Sequence, residues 1–147
     1  MSGTDRQTNR RIPILMAAGL LVAAVGLGIL GVVRDNNSRL EAVEDAGRAF
    51  LKALAAGEGK DVCGRMTRIA QSQLAAEQHK GSCPQAVAAL VGPLDDTERN
   101  ELASSCKSRF FEREGSFGHV GVRDNPLGIT ELLLSESDGN WLVAEMK

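Results

Sequence analysis

The run Ile12–Val33, IPILMAAGLLVAAVGLGILGVV, constrains this chain more than any other stretch. Across its 22 residues no side chain is charged or hydrogen-bonding. As a helix rising about 1.5 Å per residue it reaches roughly 33 Å, enough to span the ~30 Å hydrocarbon core of a bilayer. A chain of 147 residues holds one domain, and burying this run inside that domain would consume most of its core. The run is therefore read as a membrane span. Secretory signal cores are shorter, about 7–15 residues, and end in a small-residue cleavage site. This one exits into VVRDNN, with no such site and no cysteine for lipid attachment. It is expected to stay as an uncleaved anchor.

Orientation follows from arginine placement. Arg6, Arg10 and Arg11 precede the span against Asp5 alone, whereas Arg34 and Asp35 beyond it cancel. The positive-inside bias keeps residues 1–11 in the cytoplasm and sends the remainder outside. The expected organisation is a cytoplasmic segment 1–11, a bilayer span 12–33, a juxtamembrane link 34–37 and an extracytoplasmic domain 38–147. The chain carries a formal net charge of −2, of which the first 11 residues contribute +2, leaving −4 for the rest. Mild acidity without interleaved aromatic and basic residues offers no nucleic-acid footprint.

Beyond the span the pattern is first helical and then alternating. Leu40, Val43, Gly47, Phe50, Leu51 and Leu54 form one apolar stripe, behind an S-x-x-E capping box at Ser38 and Glu41 and ahead of a stop at Gly57 and Gly59. A second helix is expected from Asp61, carrying Val62, Met66, Ile69 and Leu74 inward. A third opens near Pro84, with Val87, Leu90 and Val91 inward, and Asp95 caps a short fourth. Then CKSRFFERE, FGHVGVR, GITELLLSE and NWLVAEM read as four strands, the last two joined by a type I′ turn at Asp138–Gly139. The fold class is α+β, helices packed on an antiparallel sheet of about four strands. With that turn, Ser137 faces Asn140, Glu136 faces Trp141 and Leu134 faces Val143. One sheet face then carries Leu132, Leu134, Trp141 and Val143, and the other Leu133, Leu142, Ala144 and Met146. Helices cover one face only, so the second is expected to associate with a partner.

The helix–Gly–helix join AGRAFLKALAAGEGKDVCGRMT, the segment SCPQAVAAL and the closing DGNWLV, set behind an N-terminal anchor, resemble the nuclear transport factor two-like (cystatin-like cone) superfamily, in its small membrane-anchored extracytoplasmic bacterial members. The likeness spans roughly residues 38–147. It implies a curved sheet wrapped by helices around a conical pocket, used by some members for isomerase or cyclase chemistry and by many as a non-catalytic binding or assembly module. The chain has no tyrosine, so the oxyanion-stabilising tyrosine of the isomerase type has no counterpart, and no carboxylate matches its general base.

Cys83 precedes a proline at a helix start, where a thiolate would be favoured. In an extracytoplasmic domain, however, three cysteines read first as one disulfide and one thiol left over. Cys63–Cys83 is the expected pair, and the resemblance points the same way, since related sequences often carry paired cysteines at these two places. Pairing of Cys106 with Cys83, or with its mate in a dimer, stays open. No C-x-x-C is present, which sets a thiol-redox protein last among the readings. His79 lies in a polar link and reads as a solvated surface residue. Phe50, Phe117, His119 and Trp141 are the residues expected around any pocket. No metal spacing, cofactor motif or catalytic constellation is found.

The leading reading is a non-enzymatic, membrane-tethered binding or assembly module. It is held to the bilayer by residues 12–33 and is partnered by a second copy or another envelope protein. Its rival is a small-molecule enzyme of the cone-fold class with His119 near the pocket.

Overall fold

The computed structural model describes residues 37–111 and 117–147. The expected segments 1–11 and 12–33 and most of the link 34–37 lie outside them, as does the capping position before residue 37. Among the described residues no helix is long and apolar enough to cross a membrane.

Helix α1 covers residues 37–56. Asn37 is already helical, so Ser38 sits inside the helix and does not cap it. The stripe Val43, Gly47, Phe50, Leu51 and Leu54 is buried, as its spacing predicts. Gly57 ends the helix at φ +72°, a conformation that costs a residue bearing Cβ about 1–2 kcal/mol. The Glu58 N–H donates to Ala53 O at 3.1 Å and the Gly57 N–H to Leu54 O at 3.0 Å, a Schellman closure.

The second helix expected from Asp61 is in fact two, α2 (Gly59–Gly64) and α3 (Arg68–Glu77). Between them Met66 forms an isolated parallel bridge to Val143 of the last strand. The Thr67 N–H donates to Val143 O at 2.9 Å, and the Val143 N–H donates to Arg65 O at 2.8 Å. An edge strand presents backbone groups that need partners, and the 65–67 segment supplies them at the cost of helical continuity. Thr67 then restarts the helix, its hydroxyl accepting from the Ala70 N–H at 3.2 Å. The break shifts the helical phase. Ile69, expected to point inward, is 71% exposed.

Helix α4 (Cys83–Val91) carries Pro84 in its first turn, and α5 (Asp96–Ala103) is closed by a reciprocal capping box between Asp95 and Glu98. Arg99 of α5 joins the ends of α1 and α4 and the link after α4. Its guanidinium donates to Ala55 O and Val91 O, each at 2.7 Å, and to Leu94 O at 3.2 Å. The Ala55 and Val91 carbonyls lie in the last turns of α1 and α4, which lack intrahelical donors for them, and a fixed fork of charged donors suits them. Cys63 of α2 and Cys83 of α4 are joined by a disulfide, with Cα atoms 6.1 Å apart. Cys106 is a half-buried free thiol packed against the core.

The sheet is curled, antiparallel and four-stranded, in the order β1 (Cys106–Phe111), β2 (Phe117–Val122), β3 (Glu131–Ser137), β4 (Asn140–Met146). The turn at Asp138 and Gly139 has φ of 50° and 76°, the sign a type I′ hairpin requires. Ser137↔Asn140, Glu136↔Trp141 and Leu134↔Val143 pair as expected. Beyond them the register shifts between Leu133 and Leu134, so that Leu132 pairs with Met146 and Leu133 with Glu145. One extra residue, Ala144, thus moves Met146 to the helix-facing side, where it packs against the core. The apolar face expected from Leu133, Leu142, Ala144 and Met146 is corrected accordingly. Leu133 and Leu142 keep the side away from α1, Ala144 forms the bulge, and Met146 has crossed over.

Helix α1 lies close on β2. A Cβ on Gly118 would stand 2.5 Å from Val43 Cγ2, and one on Gly47 would stand 2.9 Å from Val120 Cγ2. These positions place Gly118, Val120 and Val122 toward the helix and Phe117, His119 and Gly121 on the opposite side. Val43, Phe50, Val120, Leu132 and Leu134 fill the space between helix and sheet, each fully buried.

Candidate functional site

The four residues expected around a pocket do not share one. Phe50 is sealed in the core, and Trp141 lies at the edge of the helix-facing side, under the Arg39 guanidinium at 5.8 Å from the ring centre. Phe117 and His119 are on the other face of the sheet. The physical reason is the two-residue period of β2. Gly118 must face α1 to admit its close approach, and its neighbours are thereby turned away.

On that opposite face, His119 anchors a charged cluster. Its side chain is 8% exposed and its Nδ1 lies 3.0 Å from Glu131 Oε1. Glu131 is the cross-strand partner of Gly121, which places it diagonal to His119. Lys147 Nζ donates to the same Oε1 at 3.0 Å. An ionised carboxylate only accepts, so the proton in the first contact is on His119 Nδ1. The Lys147 hydrogen bond holds the Glu131 carboxyl below its ordinary range against partial desolvation, and the His119 hydrogen bond adds to the lowering. A folded-state pKa below the unfolded one gives stability that is complete above the ordinary value of 4.5 and is lost as pH falls through the folded value. Glu131→Gln is therefore expected to lower stability at pH 7 by about 1 kcal/mol or less, as Glu131 and Lys147 are both partly hydrated. The gap to the parent should narrow as pH falls below 4.5. Urea midpoints at pH 7 and pH 3.5 measure it, and a gap that stays constant would contradict the ion-pair account.

The described residues also form two surface depressions. One, about 670 Å³, lies between the α1–α2 region and the hairpin turn, with Lys60, Asp61, Arg65, Asn140 and Trp141 among its walls. The other, about 360 Å³, runs between α3 and the end of β4. Met66, Ala70 and Leu74 lie nearly buried at its base, Ala144 and Met146 are half-buried beside them, and its polar side chains are Gln73, Glu77 and Glu145. Ile69 stands at its rim and also borders a shallower hollow with Arg68, Ser72 and Ala76. Ile69 is the large hydrophobic residue that the described surface leaves exposed. Neither depression includes His119 or Phe117.

The α3–β4 groove was only half visible in the sequence. Ala144 and Met146 stand among the residues expected to associate, but helical spacing points Ile69 inward. The signal that could have exposed it is Thr67, an N-cap type standing inside an otherwise helical pattern. Among the described residues no group of His, Cys, Asp or Glu is arranged to hold a metal ion. No family model matches the sequence, and neither a curated protein nor a solved structure matches it.

Proposed function

We propose that the chain is a membrane-tethered, extracytoplasmic binding or assembly module of the cone-like, nuclear transport factor two-like type, acting without catalysis. The observation that carries this reading is the open groove between α3 and β4, with Ile69 exposed beside it, set against an interior in which large side chains are fully buried. Phe50, Val120, Leu132 and Leu134 are fully buried between helix and sheet, where a cone-fold enzyme would keep its cavity. The groove, by contrast, opens to the surface with an exposed Ile69. The Cys63–Cys83 bond supports the compartment, because such bonds persist in oxidising surroundings. Residues 12–33 would hold the domain to the bilayer.

A second reading has one specific observation in its favour. The His119–Glu131 contact is the arrangement by which a carboxylate orients a histidine general base. The two readings separate in a strain lacking the gene. The module reading expects His119→Gln to restore the parental phenotype and Ile69→Lys to fail, and the enzyme reading expects the reverse. The topology has its own measurement. Protease added to intact spheroplasts should digest the region after Val33, and protection of that region would overturn the extracytoplasmic assignment.

A further inference from the structure

We infer that the α3–β4 groove takes an extended segment of a partner protein, paired as an added strand along the end of β4 and carrying basic residues beside an aliphatic one. The inference rests on the binding-module reading and names the chemistry of its partner.

The backbone supplies the first argument. β4 is an edge strand, since the sheet order ends with it. Its outward groups at Val143 are already taken by Arg65 and Thr67. Past that point the 65–67 segment turns away into α3 and leaves the edge facing the groove. The Lys147 N–H donates to Glu131 O at 2.9 Å. Glu131 and Lys147 are thus a hydrogen-bonded pair, and antiparallel pairs alternate, so the neighbouring Leu132–Met146 pair is of the other kind. The Met146 N–H and C=O therefore point off the sheet, toward the groove. An extended peptide recognised by strand addition needs such groups, with a pocket nearby for alternate side chains.

The side chains supply the second. Half-buried Ala144 and Met146, with the exposed Ile69, leave apolar surface enough for one aliphatic side chain, and methionine adapts to varied shapes. Both charged residues of the lining, Glu77 and Glu145, are acidic. Complementarity calls for Lys or Arg on the incoming segment. It also argues against a second copy of this chain, because residues beyond the first 11 carry a net −4 and two such domains repel.

The test uses the full chain in the cells that make it, with a photo-crosslinking amino acid placed at position 69, at Leu142 or, as a control, at the exposed Thr97 of α5. Crosslinked peptides are then identified by mass spectrometry. The expected result is capture at position 69, about tenfold above the control, of one partner segment that carries aliphatic and Lys or Arg residues. The double variant Glu77→Lys with Glu145→Lys, both surface positions, should cut that capture about tenfold with the thermal midpoint unchanged. Capture of a second copy at position 69, of a segment without basic residues, or with no loss in the double variant would overturn the inference. Capture at Leu142 but not at position 69 would reject this groove and leave the binding-module reading standing, whereas none at either position would reject both.

Discussion

In denatured, non-reduced protein from its native compartment, one thiol per chain should react with an alkylating reagent, and that thiol should be Cys106. Replacing Cys63 or Cys83 with Ser should lower the unfolding free energy by about 2–5 kcal/mol. The bond spans 20 residues of sequence, and closing a loop of that size is worth on the order of 3 kcal/mol in the chain-entropy account. Its position adds to this. It anchors α2, a helix of six residues that is far too short to persist unsupported, to the first turn of α4. The turn after Cys63 is held by the Gln71 side-chain amide, which donates to Cys63 O at 2.7 Å and to Met66 O at 3.1 Å. Loosening α2 therefore reaches the 65–67 segment that completes the edge of β4. Both cysteines are buried, so a serine hydroxyl in either place would also need a partner. Urea midpoints of the two single variants and the double variant measure the effect. Three reactive thiols in the starting material would refute the bond in the living cell and weaken the case for an oxidising compartment.

Gly118→Ala should destabilise the domain by about 1–3 kcal/mol, although alanine suits a strand better than glycine does. The added Cβ would stand 2.5 Å from Val43 Cγ2 and 2.7 Å from Cγ1, inside any real carbon–carbon contact. Val43 is fully buried on α1, and its branched side chain has one strongly preferred rotamer in a helix. The alternative is to lift α1 from β2, which would open the Gly47–Val120 contact as well. Steric crowding therefore outweighs the strand propensity. Trimming the opposing residue should relieve it. Val43→Ala alone leaves a cavity and costs stability, but combined with Gly118→Ala the loss should fall short of the sum by about 1 kcal/mol or more. Strict additivity in that cycle would show that the contact is not what demands glycine.

The order of elements needed only local chemistry. Gly57 stops α1, Pro84 sits in the first turn of α4, Asp95 and Glu98 cap α5, and Asp138–Gly139 turns β3 into β4. Each acts through the φ range or side-chain reach of a residue on its near neighbours, and that information is wholly in the sequence. The same holds for the stripe of α1 and for the choice of helices followed by strands. What tertiary structure decided begins where backbone groups from distant segments meet. Val143 needed partners for its outward N–H and C=O, and residues 65–67 supplied them, splitting a helical pattern and turning Ile69 into solvent. Ala144 became the extra residue of a bulge, which no alternation rule foretells, and this carried Met146 across the sheet. The approach of α1 to Gly118 fixed which way β2 presents His119, and so separated it from Phe50 and brought it to Glu131 and Lys147. The candidate groove is the product of the first two events. Its residues lie about 70 positions apart in the chain, and pairing across such a distance is set by which hydrogen bonds remain unmade elsewhere.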